Sequence, residues 1–312
     1  MLALLDVVMP VFLVTGMGYL AARLGYLSEP VVDGINRFTQ GFAIPFLLFR
    51  AAMNLDLSAV FDLRLMISFY AGSTATFFLG ILGARMIFKR RPGEAVAIGF
   101  GSLFSNSVIL GIPIMERAYG GAALDSMLAI ISIHAPFCYL LGITVMEISR
   151  ADGRGAVDTT VTVVRAMIQN ALMVGLAAGF AVNLSGLTLP GVALEAVDLI
   201  VAAALPTALI GLGGVLTRYR LRKSLGAASM TSTLSLLVHP SIALFLSHVV
   251  FALPIHMVQA AVLTAAMAPG VNTYVFASMY NRAMGAAAST VLLATAISVL
   301  SVSFWLSVLG TL

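Results

Sequence analysis

Apolar residues dominate this chain in ten stretches, and short polar segments separate the stretches from one another. A helix needs about 20 apolar residues to cross the hydrocarbon core of a membrane, and each stretch is close to that length. The chain is therefore predicted to be an all-α polytopic membrane protein with ten transmembrane helices. The predicted spans are residues 2–22, 35–52, 65–88, 95–118, 123–148, 167–184, 197–216, 228–253, 257–280 and 286–309.

The fourth and the ninth spans are interrupted by residues that do not favour a continuous helix. Proline lacks an N–H and its ring clashes with the carbonyl four residues earlier, so the entering helices are expected to falter before Pro113 and Pro269. Broken helices inside a membrane are tolerated where their free N–H groups line a cavity or meet a ligand, as in transporter binding sites. The residues of these interruptions are Ser105, Asn106, Gly111, Pro113, Pro269, Gly270 and Asn272.

A polar stretch at residues 151–164 divides the spans into two sets of five, residues 1–150 and 165–312. An odd number of spans in each set gives the two halves opposite orientations. The second span of each half carries a proline, and Pro45 and Pro206 precede the prolines of the broken spans by 68 and 63 residues. These features predict an inverted repeat, in which a substrate binds near the membrane midplane. Pro45 and Pro206 are expected to kink their helices or to shape a cavity wall.

Composition and charge agree with a membrane protein. Only 10% of the residues are charged and the mean hydropathy is +1.04, whereas soluble domains carry about 25% charged residues. The loops that follow odd-numbered spans hold 14 of the 17 Lys and Arg residues. The positive-inside rule places these loops, including the linker at residues 151–164, in the cytoplasm and both termini outside the plasma (inner) membrane. Because the cations are spread over short loops, a nucleic acid is not an expected partner.

The two interruptions are also the best candidates for chemistry. Half-helices that restart inside the membrane point their positive dipole ends at its centre, where a carboxylate is a suitable guest. Asn106 and Asn272 each offer two donors and one acceptor. Their amides are expected to bind a substrate, to cap the broken helices, or to do both. Ser105 and Gly111 complete the predicted substrate-binding set, with Ser105 supplying a hydroxyl.

Neither a coupling ion nor a catalytic centre follows from the residues. Ion-driven carriers usually keep an ionisable residue deep in the membrane, whereas the acids here lie near span ends. A proton is considered as the coupling ion, but no residue is named as its carrier. Single intramembrane residues such as His134, His239 and Cys138 are interpreted as packing residues. No metalloprotease or nucleophile-elbow motif occurs in the sequence, so no enzyme, metal or cofactor is predicted. Serine and histidine do coexist within spans, which leaves an intramembrane hydrolase as an alternative of a different class.

Three stretches of this sequence resemble the auxin efflux carrier family, whose bacterial members include predicted malonate permeases. They are residues 36–49 on the second span, residues 104–120 on the fourth and residues 266–277 on the ninth. The resemblance runs over nearly the whole chain. It implies a fold related to bile-acid/sodium symporters and sodium/proton antiporters, with the fourth and ninth helices crossing at breaks made by Pro113 and Pro269.

The resemblance also implies how such a protein works. Helices 1, 2, 6 and 7 would form a scaffold, and helices 3–5 and 8–10 a transport domain that moves as an elevator. Asn106 and Asn272 would lie at the crossover, where a small carboxylate such as malonate binds. A sodium-coupled organic-anion symporter is the alternative within the same fold. A homodimer is considered, but the sequence does not fix the oligomeric state.

Overall fold

The computed structural model describes residues 2–54, 62–150, 161, 165, 168, 171–219 and 224–312. The described part of the chain contains helices and no strand. In chain order the helices are α1 (Leu2–Arg23), α2 (Glu29–Phe38), α3 (Ile44–Met53), α4 (Leu63–Met86), α5 (Pro92–Leu103), α6 (Ile112–Ala118), α7 (Gly121–Arg150), α8 (Ala171–Ser185), α9 (Gly191–Leu216), α10 (Leu225–Thr233), α11 (His239–Leu244), α12 (Ile255–Ala265), α13 (Val271–Met279) and α14 (Met284–Leu309). Helices suit an apolar chain because they pair backbone N–H and C=O groups within one segment.

In the part of the chain that the structure describes, five helices or helical runs are long and apolar enough to cross a membrane, which confirms the prediction of a multi-pass membrane protein. They are Leu63–Met86, Gly121–Ser149, Gly191–Leu216, Leu225–Val250 and Met284–Leu309. The other predicted spans coincide with α1, with the shorter α8, and with the helix pairs α2–α3, α5–α6 and α12–α13. Ten crossings in an inverted repeat stay a prediction.

Local signals in the sequence set several helix boundaries. Asp62 precedes α4, and its Oδ1 accepts a hydrogen bond from the Arg64 backbone N–H at 2.7 Å, as an N-cap residue does. Helix α5 begins at Pro92, a position where the missing N–H costs no helical bond. In the first turn of α5, a Glu94 side-chain oxygen accepts the Arg91 N–H at 3.2 Å. These boundaries lie at the polar ends of apolar runs.

Within the described ranges, four π-helical turns interrupt the helices, and three of them are followed two residues later by a proline. Thr39–Ala43 precedes Pro45, Ser107–Gly111 precedes Pro113, and Leu234–Val238 precedes Pro240; the fourth π turn is Phe245–Val250. A π turn is wider than an α turn and its bonds run five residues back, so the chain continues past the proline in helical conformation. Each of these prolines therefore lies in a helical run and does not end it.

The chain divides into two compact units. One unit comprises Val11–Val60 and Thr160–Arg218 and holds most of α1 together with α2, α3, α8 and α9. The other comprises Met1–Pro10, Phe61–Thr159 and Tyr219–Leu312, and it holds α4 to α7 and α10 to α14. We call them the smaller and the larger unit.

In the smaller unit, glycines bring helix backbones into contact. Gly175 and Gly179 of α8 face the backbones of Pro45 and Phe49 in α3, and a Cβ at either glycine would collide with those main chains. Small residues at such contacts are typical of helix association in membranes. Asn36 of α2 donates through Nδ2 to the Gly211 carbonyl of α9 at 3.3 Å. Pro45 is thus buried in a helix–helix contact.

In the larger unit, α4 and α5 pack through small residues as well. A Cβ on Gly80 would lie 2.9 Å from the Gly99 Cα, so these two helices approach almost backbone to backbone. Phe100 of α5 stacks on Phe276 of α13, with ring centroids 3.8 Å apart. These contacts hold α5 and α13, the helices on either side of the candidate site, in one packed body.

Candidate functional site

The first break interrupts the fourth predicted span between Leu103 and Ser107. Phe104 is extended (φ −101°, ψ 100°), and Asn106 has φ −79° and ψ 55°, outside the helical region. Helical structure resumes with the π turn that begins at Ser107 and continues through α6. The helix was expected to falter just before Pro113, but the structure places the break seven residues earlier. Pro113 lies inside the restarted helix because the π turn accommodates it.

The second break interrupts the ninth predicted span between Ala265 and Val271. Ala266, Met267, Ala268, Pro269 and Gly270 form the connection, and all five are buried. Here the proline lies within the break, as the sequence pattern indicates. Helix α13 starts directly after Gly270, which has an extended conformation with φ −91° and ψ −176°.

The two breaks pair with each other in the larger unit. Ser105 and Pro269 form an isolated antiparallel bridge, and the Asn106 backbone N–H donates to the Ala268 carbonyl at 2.8 Å. In this pairing Ser105 faces Pro269 in a non-hydrogen-bonded position, where the missing N–H of proline costs no ladder bond. This short backbone contact joins two segments that lie about 160 residues apart in the sequence.

We call the contact between the two breaks the crossing. Asn106 is the most unusual polar residue there. Its side chain is 7% exposed, and its Nδ2 is buried without a hydrogen-bond partner among the described residues. A Cβ on Gly270 would lie 3.1 Å from the Asn106 Cβ and Cγ, so glycine at position 270 leaves room for the asparagine. A buried donor without a partner is costly, by about 1–3 kcal/mol. The Asn106 Nδ2 therefore has unused hydrogen-bonding capacity.

Asn272 lies in the first turn of α13 and is half-buried. Its Oδ1 accepts a hydrogen bond from the Tyr139 hydroxyl of α7 at 3.3 Å. Because the Asn272 Oδ1 already accepts a bond, the amide nitrogen is the part of this side chain that can donate to a further partner. The neighbouring Thr273 Oγ1 is buried and has no partner within the described part of the chain. The second break thus also carries donor groups.

Ser105 adjoins a buried histidine. The Ser105 Oγ lies 3.4 Å from the His134 Nε2 of α7, and the Cys138 Sγ lies 3.6 Å from the His134 Nδ1. Phe104 and Phe69 close around the same imidazole, with ring centroids 4.8 Å and 5.5 Å from it. His134 was interpreted as a packing residue, yet it packs directly against the first break.

The end of α5 is tied down by hydroxyl groups of α4. The last carbonyls of a helix have no partner inside that helix, and a break within a membrane removes water as an alternative. Ser73 Oγ donates to the Leu103 carbonyl at 3.0 Å, and Thr76 Oγ1 donates to the Ser102 carbonyl at 3.0 Å. Ser102 Oγ returns a bond to the Thr76 carbonyl at 2.9 Å. The break is therefore a fixed structure.

The crossing gathers most of the predicted site residues. Gly111 lies close to it, since a Cβ there would lie 3.3 Å from the Met267 Cγ of the second break. Pro113 is one helical turn or more beyond the break. Pro45 and Pro206 belong to the smaller unit, where Pro45 is buried and Pro206 is exposed in the continuous helix α9.

Sequence reasoning missed Tyr139 and gave His134 no role at the site. Both belong to α7, a span with no break and few polar residues. Their spacing of five residues along a helix gives no signal of its own, because their partners lie on segments 29 and 133 residues away. Among the described residues, no group of three or more His, Cys, Asp or Glu could hold a metal ion.

The apolar helices and the paired breaks define a membrane transport protein, and comparison with known proteins agrees. A family model described as "Membrane transport protein" matches residues 3–306. The chain therefore belongs to the membrane transport protein family, which is the auxin efflux carrier family that its motifs resemble. It is also 28% identical over 309 residues to an "Uncharacterized transporter" of Methanothermobacter thermautotrophicus, covering 97% of this chain and 98% of that protein.

Proposed function

We propose that the protein carries a small organic anion, a malonate-like mono- or dicarboxylate, across the plasma membrane, as a secondary active transporter or a uniporter. The observation that carries this proposal is the buried Asn106 Nδ2, a donor without a partner on a segment that pairs with a second helix break. A carboxylate oxygen would accept from this amide and remove the cost of an unpaired buried donor.

The surrounding groups suit a carboxylate. The restarted helix after Asn106 and the helix that begins at Val271 turn N-terminal N–H groups, with their partial positive charge, toward the same crossing. The Asn272 amide nitrogen and the Ser105 hydroxyl supply further donors, while Gly111 lets the Met127 and Met267 side chains pack close to the crossing. These groups offer hydrogen bonds without placing a full positive charge inside the membrane.

The division into units supports an elevator mechanism. Every residue of the crossing belongs to the larger unit, which holds the predicted helices 3–5 and 8–10. A substrate bound there would travel with that unit, while the smaller unit, with helices 2, 6, 7 and most of helix 1, would act as the scaffold. The predicted cytoplasmic linker, residues 151–164, lies outside the described residues except for position 161.

The charge distribution supports the proposed orientation in the membrane. Cations concentrate in loops after odd-numbered spans, which favours both termini outside an inner membrane that the chain crosses ten times. The proposal takes a proton as the coupling ion to be tested first, and a homodimer as the assembly to be tested.

Two alternatives make distinct predictions. A sodium-coupled organic-anion symporter of the bile-acid type would require a sodium gradient for uptake. An intramembrane hydrolase would use Ser105 as its nucleophile, and the 3.4 Å approach of His134 makes this serine the one to probe. Covalent labelling of Ser105 by a mechanism-based serine probe would favour the hydrolase, and its absence together with flux would favour the carrier.

The test is flux of labelled malonate and a panel of mono- and dicarboxylates into proteoliposomes under imposed pH and sodium gradients. Asn106→Ala and Asn272→Ala are compared with Asn54→Ala, a matched control whose exposed amide donates weakly to the Arg50 carbonyl at 3.5 Å. We expect saturable flux in the wild type and the control, and loss of flux in both site variants. If flux survives both substitutions, the substrate-binding site lies elsewhere. A chain that moves no carboxylate would overturn the substrate class.

A further inference from the structure

Five basic residues gather at one end of the larger unit, and we call them the basic patch: Arg85, Lys89, Arg90, Arg91 and Arg282. Four of them occupy seven consecutive positions that connect α4 to α5. The fifth lies in the connection from α13 to α14. Segments from both halves of the chain thus contribute to one cationic surface.

Two contacts bring these segments together. The Arg282 Nε lies 3.7 Å from the position that a Cβ on Gly93 would take, directly after the first four cations. The Arg85 Nη1 donates to the Arg90 carbonyl at 2.8 Å, which folds the end of α4 back on the connecting turn. The five positive charges are therefore held near one another by the fold.

Among the described residues, no carboxylate pairs with these cations. The nearest acidic residue in the sequence, Glu94, uses its carboxylate to accept the Arg91 backbone N–H at 3.2 Å. Within the described ranges, none of the five cations forms an ion pair with Asp or Glu. Arg85, Lys89 and Arg91 are exposed. Like charges held together repel one another, so an external anion would stabilise the patch.

The patch adjoins the ends of two helices that are able to span a membrane. Helices α4 and α14 are both long and apolar enough to cross a membrane, and the patch begins at the last turn of α4 and ends two residues before α14. The ends of such helices reach the headgroup region of the bilayer. Clusters of four or more Lys and Arg next to a membrane helix attract anionic lipids.

We propose that the basic patch binds the headgroup phosphate of an anionic phospholipid. Guanidinium groups bind phosphate oxygens in a bidentate manner, and the patch supplies four of them with one ammonium group. The N-terminus of α5, which starts at Pro92, adds its positive dipole end to the same surface. All contributing residues belong to the larger unit, so the lipid would hold that unit alone at its cytoplasmic end.

The test uses the purified full-length protein in detergent, stripped of lipid and titrated with phosphatidylglycerol or phosphatidylcholine, with bound lipids counted by native mass spectrometry. Lys89→Gln/Arg91→Gln removes two exposed cations of the patch. The matched control, Arg23→Gln/Arg37→Gln, removes two exposed cations that also follow odd-numbered spans but lie in the smaller unit. We expect phosphatidylglycerol affinity roughly ten- to thirty-fold lower in the patch variant and unchanged in the control.

Four results would overturn the proposal. The first is equal binding of the two lipids by the wild type, and the second is an unchanged affinity for phosphatidylglycerol in the patch variant. The third is an equal loss in the control variant, because it would indicate a general effect of net charge. Displacement of phosphatidylglycerol by millimolar inorganic phosphate would assign the patch to a soluble anion. Thermal unfolding of both variants in the same detergent verifies that each is folded.

Discussion

The two helix breaks look alike in sequence but differ in structure. The first break spans Phe104 to Asn106 and ends seven residues before Pro113. Helical structure then resumes as a π turn. The second break contains Pro269 and leads straight into α13. The asparagines differ as well. Asn106 is buried with a free amide nitrogen, whereas Asn272 is half-buried with its oxygen bonded to Tyr139.

The two halves therefore contribute different groups to the crossing. In the second break, proline and glycine fit a bridge that needs neither an N–H at position 269 nor a side chain at position 270. The first break supplies an unpaired buried amide nitrogen, whereas the second supplies the unpaired Thr273 hydroxyl. The same substitution made in each of the two breaks should therefore have different effects.

The largest effect is expected for Asn106→Leu, which keeps the side chain's size and removes its amide. A lost hydrogen bond to a charged ligand is worth about 1.5–3 kcal/mol, so carboxylate affinity should fall by roughly ten- to a hundredfold. Without ligand, the same change removes an unpaired buried donor and should raise the free energy of unfolding by about 1 kcal/mol. Flux in proteoliposomes and thermal unfolding in detergent measure the two quantities.

Asn272→Leu is the matched comparison for that experiment. It removes an amide whose oxygen already has a partner, so flux and stability should both decrease. If Asn106→Leu lowers stability as Asn272→Leu does, then Asn106 has a structural role in both states and the contrast between the breaks disappears.

Gly270→Ala should have the next largest effect. Its Cβ would lie 3.1 Å from the Asn106 Cβ and Cγ, so the asparagine must shift by a few tenths of an ångström. Because a displaced donor binds poorly, we expect about a tenfold lower flux, in line with the cost of small misplacements in a site. Gly285→Ala is the control, as a Cβ there meets nothing within 4 Å. Equal flux in the two variants would show that the crossing accommodates an added methyl group at position 270.

Tyr139→Phe tests the second break more gently. It removes only the hydroxyl that donates to the Asn272 Oδ1 at 3.3 Å, a long bond worth about 0.5–1.5 kcal/mol. We expect the KM for the carboxylate to rise roughly two- to tenfold while maximal flux changes little. A fall in maximal flux at constant KM would indicate that Tyr139 acts in the movement of the unit and not in orienting Asn272.

The smallest effect is expected for Pro113→Ala. Pro113 follows a π turn inside a helical run, so alanine can take its place without moving the break. Flux should stay within about twofold of the wild type, since alanine is a good helix former. Pro269→Ala provides the comparison within the second break and should lower flux more, because it adds a buried N–H that the bridge does not pair. Equal losses would mean that both prolines shape the crossing.

Much of the fold is readable from the sequence, because membrane helices follow from apolar length alone. The apolar stretches coincide with helices, and the small residues around Gly175 and Gly179 do pack against a neighbouring backbone. Glycine and proline also indicate which spans are interrupted. These properties depend on residues close together in sequence, which is why a pattern can reveal them.

The details of the candidate site are not readable in this way. A proline signals that an α-helix is disturbed, but not that a π turn placed before Pro113 will absorb the disturbance. Nor can a pattern show that Ser105 faces Pro269, or that Tyr139 reaches Asn272, because these contacts depend on how helices from both halves pack. Asn106 and Asn272 were singled out as a pair, and only the structure separates them.

The π turns also bear on how this chain tolerates changes in length. A turn with bonds five residues back holds one residue more than an α turn. Deleting a single residue from Leu234–Val238 would therefore restore ordinary α-helical bonding, and the helix beyond would keep nearly the same face toward its neighbours. The same deletion in the middle of α4, which has no spare residue, would rotate everything after it by about 100°. The π turns are thus the positions where single-residue deletions would be accommodated within helices.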